Sequence, residues 1–184
     1  IRDSGIDTPL VSHDISLTND VLNYTDEDKF DVVLMNPPYG GNEKADVKSH
    51  FPSDMRSSET ADLFMVLIMY RLKKNGRAAV IVPDGVLFGA DNTKIAIKTK
   101  LLRDFNLHTI IRLPGSIFAP YTSIATNILF FDNTSAEGAP EGYSTKGTWF
   151  YRLDMPEGYK HFSMTKSMKS EHCDPIREWW HDRQ

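Results

Sequence analysis

Cys173 is the single cysteine in 184 residues. No disulfide can form within the chain, and the composition suits a reducing cytoplasm. Its neighbours Glu171 and His172 offer one imidazole beside one thiol, short of the roughly four ligands a metal centre uses, so no metal is predicted. Long apolar runs are also missing. Nothing approaches the ~18 consecutive apolar residues of a membrane span, and no basic segment precedes an apolar one, so neither a membrane helix nor a signal peptide is predicted. An excess of positive charge is missing too: the formal net charge is −4, which argues against tight, autonomous nucleic-acid binding through a basic face.

What is present is ordinary globular material, 40% hydrophobic and 25% charged. The length suits one domain, or one domain with an appendage, and is enough to bury a core. The chain is organised around Asn36-Pro37-Pro38-Tyr39. Phe30-Asp31-Val32-Val33-Leu34-Met35, before it, reads as a buried parallel strand. Two prolines stop that strand, since neither can donate to a ladder and Pro37 drives Asn36 into an extended conformation. Gly40-Gly41 then lets the chain turn. The product is a rigid polar corner at the carboxyl end of a strand, where open α/β sheets bind ligands. The Asn36 side-chain oxygen and the Pro37 carbonyl are two neighbouring acceptors, suited to both hydrogens of an exocyclic amine. Tyr39 can lay its ring on a flat heterocycle.

The rest of the chain reads as a crossover fold. Pro9 to Asp14 is a short strand ending in polar residues, and Asp14 is a candidate acceptor at the same rim as Asn36, or a solvated loop carboxylate. Thr18 to Asp28 is a surface connection. Asn42 to Thr60 lacks periodicity and reads as a long loop whose Lys44, Lys48 and Arg56 are available to phosphate. A helix is predicted over Ala61 to Lys74, capped by Ser58 or Thr60 and ended near Gly76. Arg77 to Pro83 is a second strand. Asp91 or Asn92 opens a helix over Thr93 to Phe105 with Ile95, Leu101, Leu102 and Phe105 on its core side. Leu107 to Pro114 and Ala125 to Phe131 are strands too closely linked for a helical crossover, hence antiparallel neighbours. Asp132 to Gly147 is a linker or exposed loop, Thr148 to Leu153 another strand, and Asp174 to Trp180 a terminal helical turn whose tryptophans need cover, from core packing or else from a subunit interface. Residues 1–134 form the main unit on this reading, and 135–184 an appended loop, strand and extension.

The corner resembles the (Asp/Asn/Ser)-Pro-Pro-(Tyr/Phe) motif of S-adenosylmethionine-dependent amino-methyltransferases. The stretches FDVVLMNPPYGG (30–41), ADLFMVLIMYRLKKNGRAAVIVPDGVL (61–87), LLRDFNLHTIIRLP (101–114), FAPYTSIATNILFF (118–131) and PEGYKHFSMTK (156–166) together resemble one family. It is the methylation subunit of type I restriction–modification systems, an adenine-N6 DNA methyltransferase. The resemblance implies a partial Rossmann-like α/β methyltransferase fold, mostly parallel with one antiparallel strand near its end. It implies catalysis by Asn36, Pro37, Pro38 and Tyr39, further base contact from Phe118 or Tyr121, and S-adenosylmethionine as cofactor. The implied partners are DNA, a specificity subunit and a restriction subunit.

One departure stands against that pattern. The family's cofactor site lies earlier, in a glycine-rich turn after the first strand and an acidic residue ending the second; no G-x-G occurs here. The chain therefore reads as the carboxyl-side part of a catalytic domain, with only Asn36 adjacent to the cofactor. By itself it is expected to be inactive and to expose an unpaired edge on the Asn36 strand, open to self-association. Two other functions remain open at this point: the same chemistry on a protein glutamine or on RNA, and a subunit-interaction module with no activity of its own. Arg112, His108 and His13 are not predicted to be catalytic, because amine methylation needs little proton abstraction before transfer.

Overall fold

The computed structural model describes residues 16–183. The strand expected over Pro9 to Asp14, and with it His13 and the candidate acceptor Asp14, lies outside the described residues. In chain order the elements are β1 (Phe30–Met35), α1 (Ala45–Ser49), α2 (Thr60–Arg71), β2 (Leu72–Pro83), α3 (Asp84–Phe88), α4 (Asn92–Asp104), β3 (Asn106–Arg112), β4 (Thr126–Asp132), β5 (Trp149–Arg152) and α5 (Asp174–Asp182). The five strands form one open sheet in the order β1-β2-β4-β3-β5.

β1 and β2 pair in parallel, with α2 as their crossover. β4 runs antiparallel to both its neighbours, β2 and β3, and β3 pairs in parallel with β5. Four strands thus share one direction and β4 is the reversed one. The short β3–β4 link forces the antiparallel pairing, as its length predicted.

Side-chain alternation assigns the two faces. Val80, Val82, Leu129 and Phe131 are fully buried and pack with α2 and α4 in the main core. α2 is apolar around nearly its whole circumference because it is covered around most of it: Ala61, Leu63 and Met65 to Met69 are all buried. The alternate residues Ile81, Ile128 and Phe130 face a smaller cluster of Ile111, Leu113 and Leu153, covered by Ile176 and Trp180 of α5. Trp180 meets Phe130 edge to face with ring centroids 4.9 Å apart, and Trp179 lies 4.8 Å from Tyr151. That is the cover the two tryptophans required.

Several local expectations give way to tertiary packing. α2 ends at Arg71, so Lys73 and Lys74 belong to β2. Leu72, 2% exposed, is drawn into the core, and the left-handed position falls on Asn75 (φ 63°), not on Gly76. Asn tolerates that conformation better than most residues. Neither Ser58 nor Thr60 caps α2; Glu59 is the capping position, without a side-chain bond, and the Thr60 hydroxyl donates to Glu43 at 2.8 Å. Asp91 does cap α4, accepting from the Lys94 N–H at 3.0 Å. Ile95 is 48% exposed, and Ile97 takes its place in the core. The segment between β1 and α2 carries α1 and a 3-10 turn at Ser53–Met55, pinned by the buried Phe51 and Met55. Arg56 donates to the Phe51 carbonyl at 2.9 Å and so serves the loop's own structure.

Candidate active site

The shared strand direction brings the carboxyl ends of β1, β2 and β3 to one rim, where the reversed β4 begins. Asn36, Asp84, Arg112 and Asn127 stand along that rim. Pro37 is buried and fixes the corner, Asn36 and Pro38 are exposed, and Tyr39 is half-buried. Gly40 turns the chain away with φ +74°, a conformation that favours glycine. Gly41 passes so close to α2 that a Cβ there would lie 2.4 Å from the Thr60 hydroxyl.

The Tyr39 hydroxyl donates to the Asn36 side-chain oxygen. That oxygen has a second lone pair, so the contact orients it without exhausting it. Burial pushes the Tyr39 phenol up to about 12. It therefore stays protonated near neutral pH, a donor and an aromatic surface but never a base. Phe118, on the β3–β4 link, lies 6.1 Å from Tyr39 between ring centroids, tilted by 58°. Of the two aromatic residues expected near a base, Phe118 is brought to the corner. Tyr121 follows three residues later and is 90% exposed.

A second polar group on the rim was not foreseen. Asp84, directly after the proline that ends β2, accepts from both Arg112 and the Asn127 amide, the latter at 2.8 Å. Asn127 is buried at 3% exposure, so this bond completes an amide that water cannot reach. The three residues tie the ends of β2, β3 and β4, from which the Phe118 link springs. The available signal was Asp84 beside the Pro83 that ends β2 and Arg112 two residues before Pro114; Asn127, second in β4, carried none. Next to this group a cavity of about 580 Å³ is lined by Leu87, Phe88, Arg112, Asn127, Phe150 and Arg152 among others.

Among the described residues no cluster of His, Cys, Asp and Glu could hold a metal ion. None of their helices is long and apolar enough to cross a membrane. β1, expected as a buried strand, is instead the sheet's edge among the described residues: no described strand pairs on its outer side, Val32 and Leu34 are exposed by 48% and 77%, and only Val33 is buried.

Comparison with known proteins agrees with this architecture. The family model described as N-6 DNA Methylase matches residues 1–184. The EcoEI type I restriction enzyme methylase subunit of Escherichia coli is 44% identical over 177 residues, which is 96% of this chain and 34% of that protein. A modification subunit assigned to a type I restriction enzyme of Vibrio vulnificus superposes with a TM-score of 0.80 at 42% identity, covering 93% of this chain and 35% of that one. A chain of a type I R-M system, solved to explain complex assembly and conformational transition, superposes with a TM-score of 0.82 at 36% identity, covering 94% and 33%. The chain thus spans about a third of the length of these relatives. With its sheet order, its proline-stopped corner and a match along its whole length, the chain belongs to the N-6 DNA methylase family.

Proposed function

We propose that this chain is the amine-capturing part of a type I methylation subunit, which transfers a methyl group from S-adenosylmethionine to N6 of adenine in DNA. The observation that carries the reading is the corner itself: the Asn36 oxygen and the Pro37 carbonyl sit at the carboxyl end of β1, with Tyr39 and Phe118 forming an aromatic wall beside them. The target base must leave the stack before its amine can be reached. Asn36 and Pro37 would each accept one amine N–H, and Pro38 keeps the turn rigid. Held this way, the nitrogen lone pair is released from conjugation with the ring and aimed along one line. Tyr39 offers its face to the base, with Phe118 as the second aromatic contact and Tyr121 free to reach it from the same link.

When bound, S-adenosylmethionine would supply a methyl group on a positively charged sulfur that leaves as a neutral thioether as the N–C bond forms, the methylated amine giving up one proton to solvent. The described residues fit the reacting end of that cofactor only. Beside Asn36, the edge strand leaves Val32 and Leu34 exposed. We assign the cradle for the adenosyl group, and with it tight cofactor binding, to other parts of a longer protein. Alignment and exclusion of water then provide most of the acceleration. A net charge of −4 leaves much of the phosphate affinity to a specificity subunit, with a restriction subunit completing a cytoplasmic complex. The exposed β1 edge is where the chain by itself would self-associate.

The test is transfer of labelled methyl to unmethylated DNA, comparing this chain with the full-length protein that contains it, each with its specificity subunit. Label is expected from the full-length form only, reduced about 100-fold or more by Asn36→Ala. Undiminished transfer by the full-length Asn36→Ala variant would overturn the reading.

A further inference from the structure

Behind the corner lies a buried ionic network that amine capture does not itself require. The Lys94 ammonium, on the first turn of α4, is 7% exposed and lies 2.5 Å from Asp62 Oδ2 and 2.9 Å from Glu59 Oε1. Asp62 is 1% exposed and also accepts from the Ser57 hydroxyl at 2.6 Å. The Ser57 oxygen in turn accepts from the Glu59 N–H at 3.1 Å. One cation thus gathers the start of α2. The same start holds the exit of the corner. Glu59 bridges Asn42, the Glu43 N–H donates to the Ser58 carbonyl at 2.8 Å, and the Thr60 N–H donates to the Gly41 carbonyl at 3.1 Å.

Burial alone would lower the Lys94 pKa, but the bonds to Asp62 and Glu59 more than offset it and hold it above the ordinary lysine value. A buried ion pair adds little net stability compared with apolar residues of similar volume. An ammonium at this position is therefore better explained by what it holds in place than by folding energy. We propose that Lys94 is a positioning residue for methyl transfer: through Glu59 and Asp62 it locks Gly41–Glu43, and so the orientation of the Asn36–Tyr39 corner, onto the start of α2. This inference rests on the reading of the corner given above.

The test uses the full-length methyltransferase with its specificity subunit. Lys94→Met combined with Asp62→Asn removes the cation without leaving a buried charge unpaired. This pair is expected to unfold within a few degrees of wild type and to keep KM for S-adenosylmethionine and DNA, while single-turnover methyl transfer falls about 10- to 100-fold. Lys94→Arg, which still spans both carboxylates, should recover part of the rate. Glu59→Gln, on a half-exposed side chain, leaves the Lys94–Asp62 pair intact and should slow transfer several-fold; it carries the test if the double variant does not fold. A wild-type rate in the folded variants, or a loss that only follows their melting temperature, would overturn the proposal. Asn36→Ala in parallel separates the two ideas. An inactive Asn36→Ala beside fully active Lys94 variants sinks this inference alone, whereas an active Asn36→Ala sinks both.

Discussion

Replacing Asp84 by Ala removes the acceptor shared by Arg112 and Asn127. The two partners should respond differently. The Arg112 side chain is 36% exposed and can turn to water, so losing its bond costs about 0.5–1 kcal/mol, as for other solvent-accessible pairs. Asn127 is 3% exposed, and its amide is left without its acceptor, a loss of about 1–3 kcal/mol. Together they predict a destabilisation of about 1.5–4 kcal/mol. With a urea slope of about 2 kcal/mol/M, the unfolding midpoint falls by roughly 0.8–2 M. Urea titration followed by the fluorescence of Trp149, Trp179 and Trp180 reads this directly. Arg112→Ala should shift the midpoint by half as much or less, and Asp84→Asn, which keeps an acceptor oxygen for Asn127, should fall between. If Asp84→Ala and Arg112→Ala shift the midpoint equally, Asn127 is not the decisive partner. A double-mutant cycle between Asp84 and Asn127 gives the coupling itself.

Two further outcomes follow from the same structure. His108 lies between Asp132, Phe130 and Trp180, and burial lowers its pKa below the usual 6.5; Asp132 partly opposes that shift, and Arg183 adds to it. Since the unfolded chain binds the proton more readily, this contribution to stability is present above about pH 6.5 and lost as pH falls through the window below it. The melting temperature should drop between pH 7.5 and 5.5 less steeply in His108→Gln than in wild type; identical slopes would refute this. Gly41→Ala places a Cβ 2.4 Å from the Thr60 hydroxyl, and the Thr60–Glu43 bond must break to relieve it. A loss of about 1 kcal/mol is expected in urea unfolding, partly recovered by adding Thr60→Ala, and a Gly41→Ala variant as stable as wild type would show that the loop simply moves.

The proline-stopped corner was legible in the sequence because its cause is local. A β-branched run stopped by two prolines can only be a strand with a rigid end, and β1 does end at Met35, directly before Asn36. The antiparallel β3–β4 pair was legible for a similar reason, since a link too short for a helix leaves one geometry. Local signals misled at the end of α2. Lys73, Lys74 and Gly76 have the composition of a helix terminus, yet burying Leu72 and pairing the Asn75 N–H with the Asn133 carbonyl at 3.0 Å begin the strand earlier. Ile95 fits a helical stripe as well as Ile97 does; only the position of α2 selects the latter.

Local sequence alone was thus enough for the main strands, the bodies of α2 and α4, the proline-stopped corner and the reversed strand, but not for α1, α3 or the α2–β2 boundary. The legible features depend on backbone conformations set within a few residues. The tertiary structure alone decided that Phe118 meets Tyr39, that Asp84 joins residues 28 and 43 positions away, and that Lys94 reaches Asp62 across 32. Such contacts depend on how whole elements pack, and a buried charge or amide takes whichever partner that packing brings within about 3 Å.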